Sequence, residues 1–156
     1  MRRAWQLIAG SVFVVAVPAA VLAQNGDRPV RAALIEGRCE QLVIAGEDRS
    51  AGCRGAVVNV RYQSGRFSFM FMEMGAMTSF SGTSVSADGG ENRLILDRIT
   101  MVRESDPDTL VVQASGSCSF SSLAEAGTIS CRGRAGSGEF SGVFVSLGPP
   151  SRVVED

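Results

Sequence analysis

After about residue 24 the chain alternates polar and apolar side chains with a period of two, and the 3.6-residue period of an amphipathic helix is almost absent. Val58, Val60 and Tyr62 alternate with Asn59 and Arg61. Gln63-Ser64-Gly65 then makes a turn, after which Phe67, Phe69 and Phe71 share one face and Ser68, Met70 and Met72 the other. Two such runs around a short glycine-containing loop predict a β-hairpin. Gly75-Ala76 reverses the chain into Met77–Phe80, and the loop 87–92 leads into a long strand from Leu94 to Val102. The turn Glu104-Ser105-Asp106-Pro107-Asp108 returns that strand through Leu110-Val111-Val112, and Thr128-Ile129 and Phe140 to Leu147 complete the apolar runs. With Val30 to Ile35 and Gln41 to Ala45, this makes about eight or nine strands, with turn signals about 8–12 residues apart. The fold class expected is all-β, a single small antiparallel barrel or sandwich.

The opening residues have a different design. Met1-Arg2-Arg3 is cationic, Leu7 to Val17 is an uncharged apolar run, Pro18 breaks it, and Val21-Leu22-Ala23 offers a cleavage site before Gln24. This is the layout of a secretory signal peptide, and its apolar run is too short for a comfortable membrane span. Residues 1–23 are therefore read as signal peptide and 24–147 as one β-domain. Gly148-Pro149-Pro150 breaks the last strand, and residues 148–156 are read as a flexible, charged tail. The exported chain is expected in the periplasm or outside the cell, with no membrane span after cleavage.

Composition narrows the chemistry. All 15 basic residues are arginine; the chain has no lysine and no histidine. Serine–histidine and cysteine–histidine nucleophiles, imidazole metal ligands, Schiff bases and serine–lysine dyads are thereby excluded. Subtracting Arg2 and Arg3 leaves 13 arginines against 16 acids, so the exported chain has no electrostatic case for binding nucleic acid. The acids Asp88, Glu91, Glu104, Asp106 and Asp108 fall in loops where carboxylates are ordinarily solvated, and 104–108 lacks the spacing and glycine of an EF-hand. We expect no enzyme activity, no cofactor and no metal.

One bracket appears twice: Gly37-Arg38-Cys39 with Cys53-Arg54-Gly55, and Gly116-Ser117-Cys118 with Cys131-Arg132-Gly133. Four cysteines in an exported chain, spaced unlike Cys-x-x-Cys sites, predict disulfides rather than zinc or redox chemistry. Pairing residues whose numbers add to 249 sets Cys118 opposite Cys131 and Phe120 opposite Ile129 in a hairpin turning at Leu123–Ala126. Cys39 and Cys53 are expected to pair locally as well, with a looser loop between them. Ser64-Gly65-Arg66-Phe67-Ser68 after the first bracket is echoed by Ser137-Gly138-Glu139-Phe140-Ser141 after the second.

Two further features are candidates for binding. Arg38, Arg54, Arg132 and Arg134 flank the cysteines, and side-by-side brackets would bring them together as an anion or carboxylate site; otherwise they are solvated surface. Met70, Met72, Met74 and Met77 form a methionine stripe opposite the phenylalanines, either an adaptable apolar surface or packing on a second buried face.

From Gly65-Arg66-Phe67-Ser68-Phe69, through Ser79-Phe80-Ser81-Gly82 and Leu94-Ile95-Leu96-Asp97-Arg98, to the Cys118–Cys131 hairpin, the layout resembles small exported all-β bacterial proteins of unassigned function. That resemblance implies compartment and fold class. A second resemblance is to periplasmic lysozyme-inhibitor barrels, whose binding loop carries Ser-Gly followed closely by Tyr; Ser64-Gly65 and Ser137-Gly138 are followed by Phe-Ser instead. The function expected is an exported, non-catalytic β-domain binding a macromolecule or small ligand at the cell envelope. The alternatives are an inhibitor of a secreted hydrolase such as lysozyme or a protease and, less favoured, a carboxylate-dependent hydrolase.

Overall fold

Alternating strands joined by short turns form a meander, and in the computed structural model the meander closes on itself. The structure describes residues 27–86 and 91–156, so the signal-peptide assignment and Asp88 lie outside it. Ten strands follow in order: β1 (Pro29–Ile44), β2 (Glu47–Asp48), β3 (Cys53–Tyr62), β4 (Arg66–Glu73), β5 (Ala76–Ser86), β6 (Asn92–Arg103), β7 (Asp106–Phe120), β8 (Gly127–Ala135), β9 (Gly138–Ser146) and β10 (Arg152–Glu155). From β3 to β9 each strand pairs antiparallel with the next, and β9 returns to pair with β1, whose other edge holds β3. The result is a closed eight-stranded antiparallel barrel, with β2 and β10 as extra strands on β1. Of the barrel and sandwich alternatives, the structure takes the barrel.

Eight strands enclose a space just wide enough for side chains to fill. The phenylalanine alternation fills it. Phe69, Phe71, Phe80 and Phe144 are fully buried and Phe140 nearly so, together with Ile35, Leu42, Val57, Leu94 and Ile99. Their rings meet edge-on, Phe69 with Phe120 at 4.9 Å and Phe71 with Phe80 at 5.5 Å between centroids, as the ring quadrupoles favour. Gly142 makes room for this cluster: a Cβ there would lie 2.6 Å from the Phe71 ring.

Three local expectations need correction. Val30–Ile35 and Gln41–Ile44 belong to one strand, β1, which passes through an irregularity between Cys39 and Gln41 rather than breaking, and Ala45 lies in the turn that follows it. On β3 the lumen side carries Val57 and Asn59, because Val57 pairs with Phe71 and Asn59 with Phe69; Val58 stays on the outer wall. Asn59 is satisfied by donating Nδ2–H to the Ser68 carbonyl at 3.2 Å. The chain beyond Gly148-Pro149-Pro150 is not a loose tail: Arg152–Glu155 pairs with Leu34–Arg31, the edge of β1 left open where β9 ends at Ser146.

The bracket has a structural explanation. Cys39–Cys53 and Cys118–Cys131 are the two disulfides, both local. The β7–β8 register runs from Ala114 opposite Ala135 to Phe120 opposite Ile129, each pair of numbers adding to 249 as expected. Two positions from Cys118 and Cys131, on the same face, Gly116 stands opposite Gly133, and a Cβ on Gly116 would fall 2.1 Å from the Arg132 carbonyl oxygen. In the first bracket the β1–β3 register carries Gly37 towards Gly55, where a Cβ on Gly55 would sit 2.7 Å from the Gly37 carbonyl oxygen. Each bracket is thus a cross-strand disulfide beside a pair of glycines that lets the two backbones approach. The loop inside the first bracket is held to β1 by Ser50, whose Oγ accepts from the Leu42 amide at 3.0 Å and donates to Asp48 at 2.6 Å. Arg49, from the same loop, reaches the buried Glu73 carboxylate at the end of β4, Nε to Oε1 3.3 Å.

The two disulfides differ in environment. Cys118 and Cys131 are wholly buried in the core, whereas Cys39 and Cys53 are half-buried at its margin. Native-state reduction followed by alkylation and peptide mapping should therefore label Cys39 and Cys53 first, with Cys118 and Cys131 labelled only as the barrel unfolds. Replacing Cys118 and Cys131 together with alanine should lower stability by about 2–5 kcal/mol in chemical denaturation. Gly142→Ala should cost about 1–3 kcal/mol through overpacking against Phe71.

Candidate functional site

With its lumen occupied by side chains, the barrel offers its concave surfaces on the outer wall. Alternation along β9 turns Glu139, Ser141, Val143 and Val145 outward; the register sets Val43 of β1 and Arg132 of β8 on either side of Ser141, and Ser117 of β7 beyond Arg132. A depression of about 480 Å³ lies over this wall, lined by Gln41, Ser115, Arg132, Arg134, Glu139 and Ser141 among others. A second, of about 860 Å³, adjoins it across Ser115 and Arg134 and is lined by Asp97, Arg98, Gln113 and Val111. Hydroxyls, amides and guanidinium groups dominate the polar side chains of both.

The four arginines flanking the cysteines separate into two sets. Arg132 and Arg134 both line the 480 Å³ depression; Arg38 and Arg54 line neither. The physical reason is β9, which lies between β8 and β1 and keeps the two brackets apart. Arg134 pairs across the β8–β9 ladder with Glu139, Nη2 to Oε1 2.5 Å, and Arg38 pairs with Glu40 at 2.8 Å on its own strand. Arg132 is exposed and, among the described residues, makes no ion pair, so its guanidinium is available to an anionic or carbonyl-bearing group. Gln41, Ser115 and Ser141 were not singled out from sequence. Their outward orientation follows from the period-two pattern; Ser115 and Ser141 meet across β8 through the β7–β8 and β8–β9 hairpins, and Gln41 joins them only because β9 returns to β1.

The methionines divide too. Met70 and Met72 face outward and are half-buried, Met77 stands opposite Met72, and Met74 is 76% exposed at the β4–β5 turn. The stripe therefore lies on the face of β4 opposite the phenylalanines, beside Val58 and the buried Val60, Ser68 and Ser79. Ser64-Gly65 and Ser137-Gly138 form turns at opposite ends of the barrel, with Gly65 at φ 84° and Gly138 at φ 126°. Among the described residues no group of three or more acids, cysteines or histidines is placed to hold a metal ion, and no helix is long and apolar enough to cross a membrane.

One charged network borders the larger depression. Asp97 is the extra residue of a bulge in β6 against β5, and Arg66 reaches across β5 from β4 to grip it with both guanidinium nitrogens, Nη1 to Oδ2 2.6 Å and Nη2 to Oδ1 2.5 Å. Arg98 Nε lies 3.7 Å from the same carboxylate. The hydrogen bonds from Arg66 hold the Asp97 carboxyl below its ordinary value, against a smaller opposing effect of burial, and raise the Arg66 guanidinium in turn. A depressed carboxyl stabilises the fold above its unfolded-state value and loses that contribution as pH falls through the folded one. Because the pair is partly solvated, Asp97→Asn should cost no more than about 1 kcal/mol at neutral pH. The difference from the parent chain, followed by denaturation across acidic pH, should vanish below the ordinary carboxylate range.

No protein-family model, curated protein or solved structure matches this chain.

Proposed function

We propose that the chain is an exported, non-catalytic β-barrel domain that binds an envelope macromolecule or small ligand bearing an anionic group, and that it does so on its outer wall at Arg132. The observation that carries this reading is the pairing of a filled lumen with the depression around Arg132. Phe69, Phe71, Phe80, Phe140 and Phe144 occupy the barrel interior, which removes the usual ligand position of a small barrel. Arg132 stands among Ser141, Ser115 and Gln41. A guanidinium fork beside hydroxyl and amide groups suits a carboxylate or phosphate carried on a larger polar scaffold. The non-catalytic assignment rests on the missing lysine and histidine. Export rests on the leader-like first 23 residues and on disulfides, which persist in oxidising compartments.

The test is retention of envelope components by the immobilised chain at low and high salt. The parent should hold a partner in a salt-sensitive manner. Arg132→Glu should reduce the retained amount about tenfold, the effect of roughly 1.4 kcal/mol for a lost charge-assisted contact. Arg54→Glu, outside the depression, should leave retention unchanged. Equal retention by the parent and Arg132→Glu would remove the proposed site.

A further inference from the structure

The barrel wall is closed, yet among the described residues β10 keeps an open strand edge. β10 lies at the end of the sheet path and has β1 as its sole strand partner among the described residues. Its residues are all exposed, Val153 at 42% and Val154 at 61%, and Leu147 just before it at 74%. The Asp156 amide donates to the Val30 carbonyl at 3.2 Å. In an antiparallel ladder that bond turns the main-chain groups of Asp156 and Val154 towards β1 and those of Val153 and Glu155 away from it. Val153 and Glu155 therefore present donors and acceptors at the edge, the arrangement another strand adds to.

We infer that this edge pairs with the same edge of a second copy, forming a weak two-fold dimer. In an antiparallel pair related by a two-fold axis normal to the sheet, partners must lie on the same face, so residue numbers sharing a rung add to an even total. Centring the axis on Val154 places Val154 against Val154, Arg152 of each copy opposite Asp156 of the other, and Val153 opposite Glu155. The outward main-chain groups of Val153 and Glu155 bond each other in this register. Moving the axis to Glu155 would set like charges face to face, and moving it to Val153 would pair no charges, so the sequence Arg152-Val153-Val154-Glu155-Asp156 selects one register. Glu155 keeps its own-copy partner, since Arg31 Nε lies 3.1 Å from its carboxylate. The contact is short, so association is weak and concentration-dependent. It lies on β10, outside both depressions, and does not depend on the Arg132 reading.

Sedimentation of the exported chain over a range of concentrations tests this. The parent should pass from monomer to dimer as concentration rises. Val153→Pro removes an amide that points away from β1 and should leave the chain monomeric with an unchanged thermal midpoint. Arg152→Asp replaces two attractive cross-strand pairs with repulsive ones and should weaken dimerisation about tenfold. Adding Asp156→Arg to that variant should restore it. A parent chain that stays monomeric throughout would overturn the inference. So would a dimer indifferent to Val153→Pro, or an Arg152→Asp loss that Asp156→Arg does not recover.

Discussion

The architecture depends on β1 pairing along both edges. Residues Pro29–Glu36 hold β3, Gly37–Val43 hold β9, and Arg31–Leu34 hold β10. Without β1 bridging β3 and β9 the meander would be an open sheet with two long edges, and its phenylalanine face would lack an opposite wall. The switch of partner along β1 happens at Gly37–Cys39. A Cβ at Gly37 would fall 2.1 Å from the Val145 carbonyl oxygen, so β9 can approach there only because the side chain is missing. Just beyond, the Cys39–Cys53 bond holds β3 to β1 where their ladder ends.

Closure with eight strands determines where chemistry is possible. Aromatic rings packed against Gly142 fill the lumen, while the polar side chains of Ser115, Arg132 and Ser141 lie on the wall. Bulges then shape that wall. The irregularity at Asp97 in β6, and the matching register shift against β7 near Gly116, bend the surface where the larger depression forms. Arg66 reaching across β5 fixes the bulged carboxylate, so this border of the depression is set by packing and charge together.

The all-β class, the phenylalanine face, the β7–β8 register and both disulfides were legible in the sequence because each rests on local information. A period of two assigns faces, and residues 118 and 131 lie close enough along the chain for one hairpin to align them. The inward turn of Asn59 was not legible. Polarity alone places asparagine outside, whereas pairing with Phe69 places it inside, where the Ser68 carbonyl satisfies it. Ser115, Arg132, Arg134 and Ser141 come together through the β7–β8 and β8–β9 hairpins, whereas Gln41 joins them only because β9 returns to β1 across about a hundred residues of chain, which no local reading reaches. The sequence by itself determined strands, faces and staples, which depend on neighbours in the chain. Barrel closure, the separation of Arg38 and Arg54 from Arg132, and the docking of β10 were decided by tertiary structure, because each depends on which strand fills the free edges of β1.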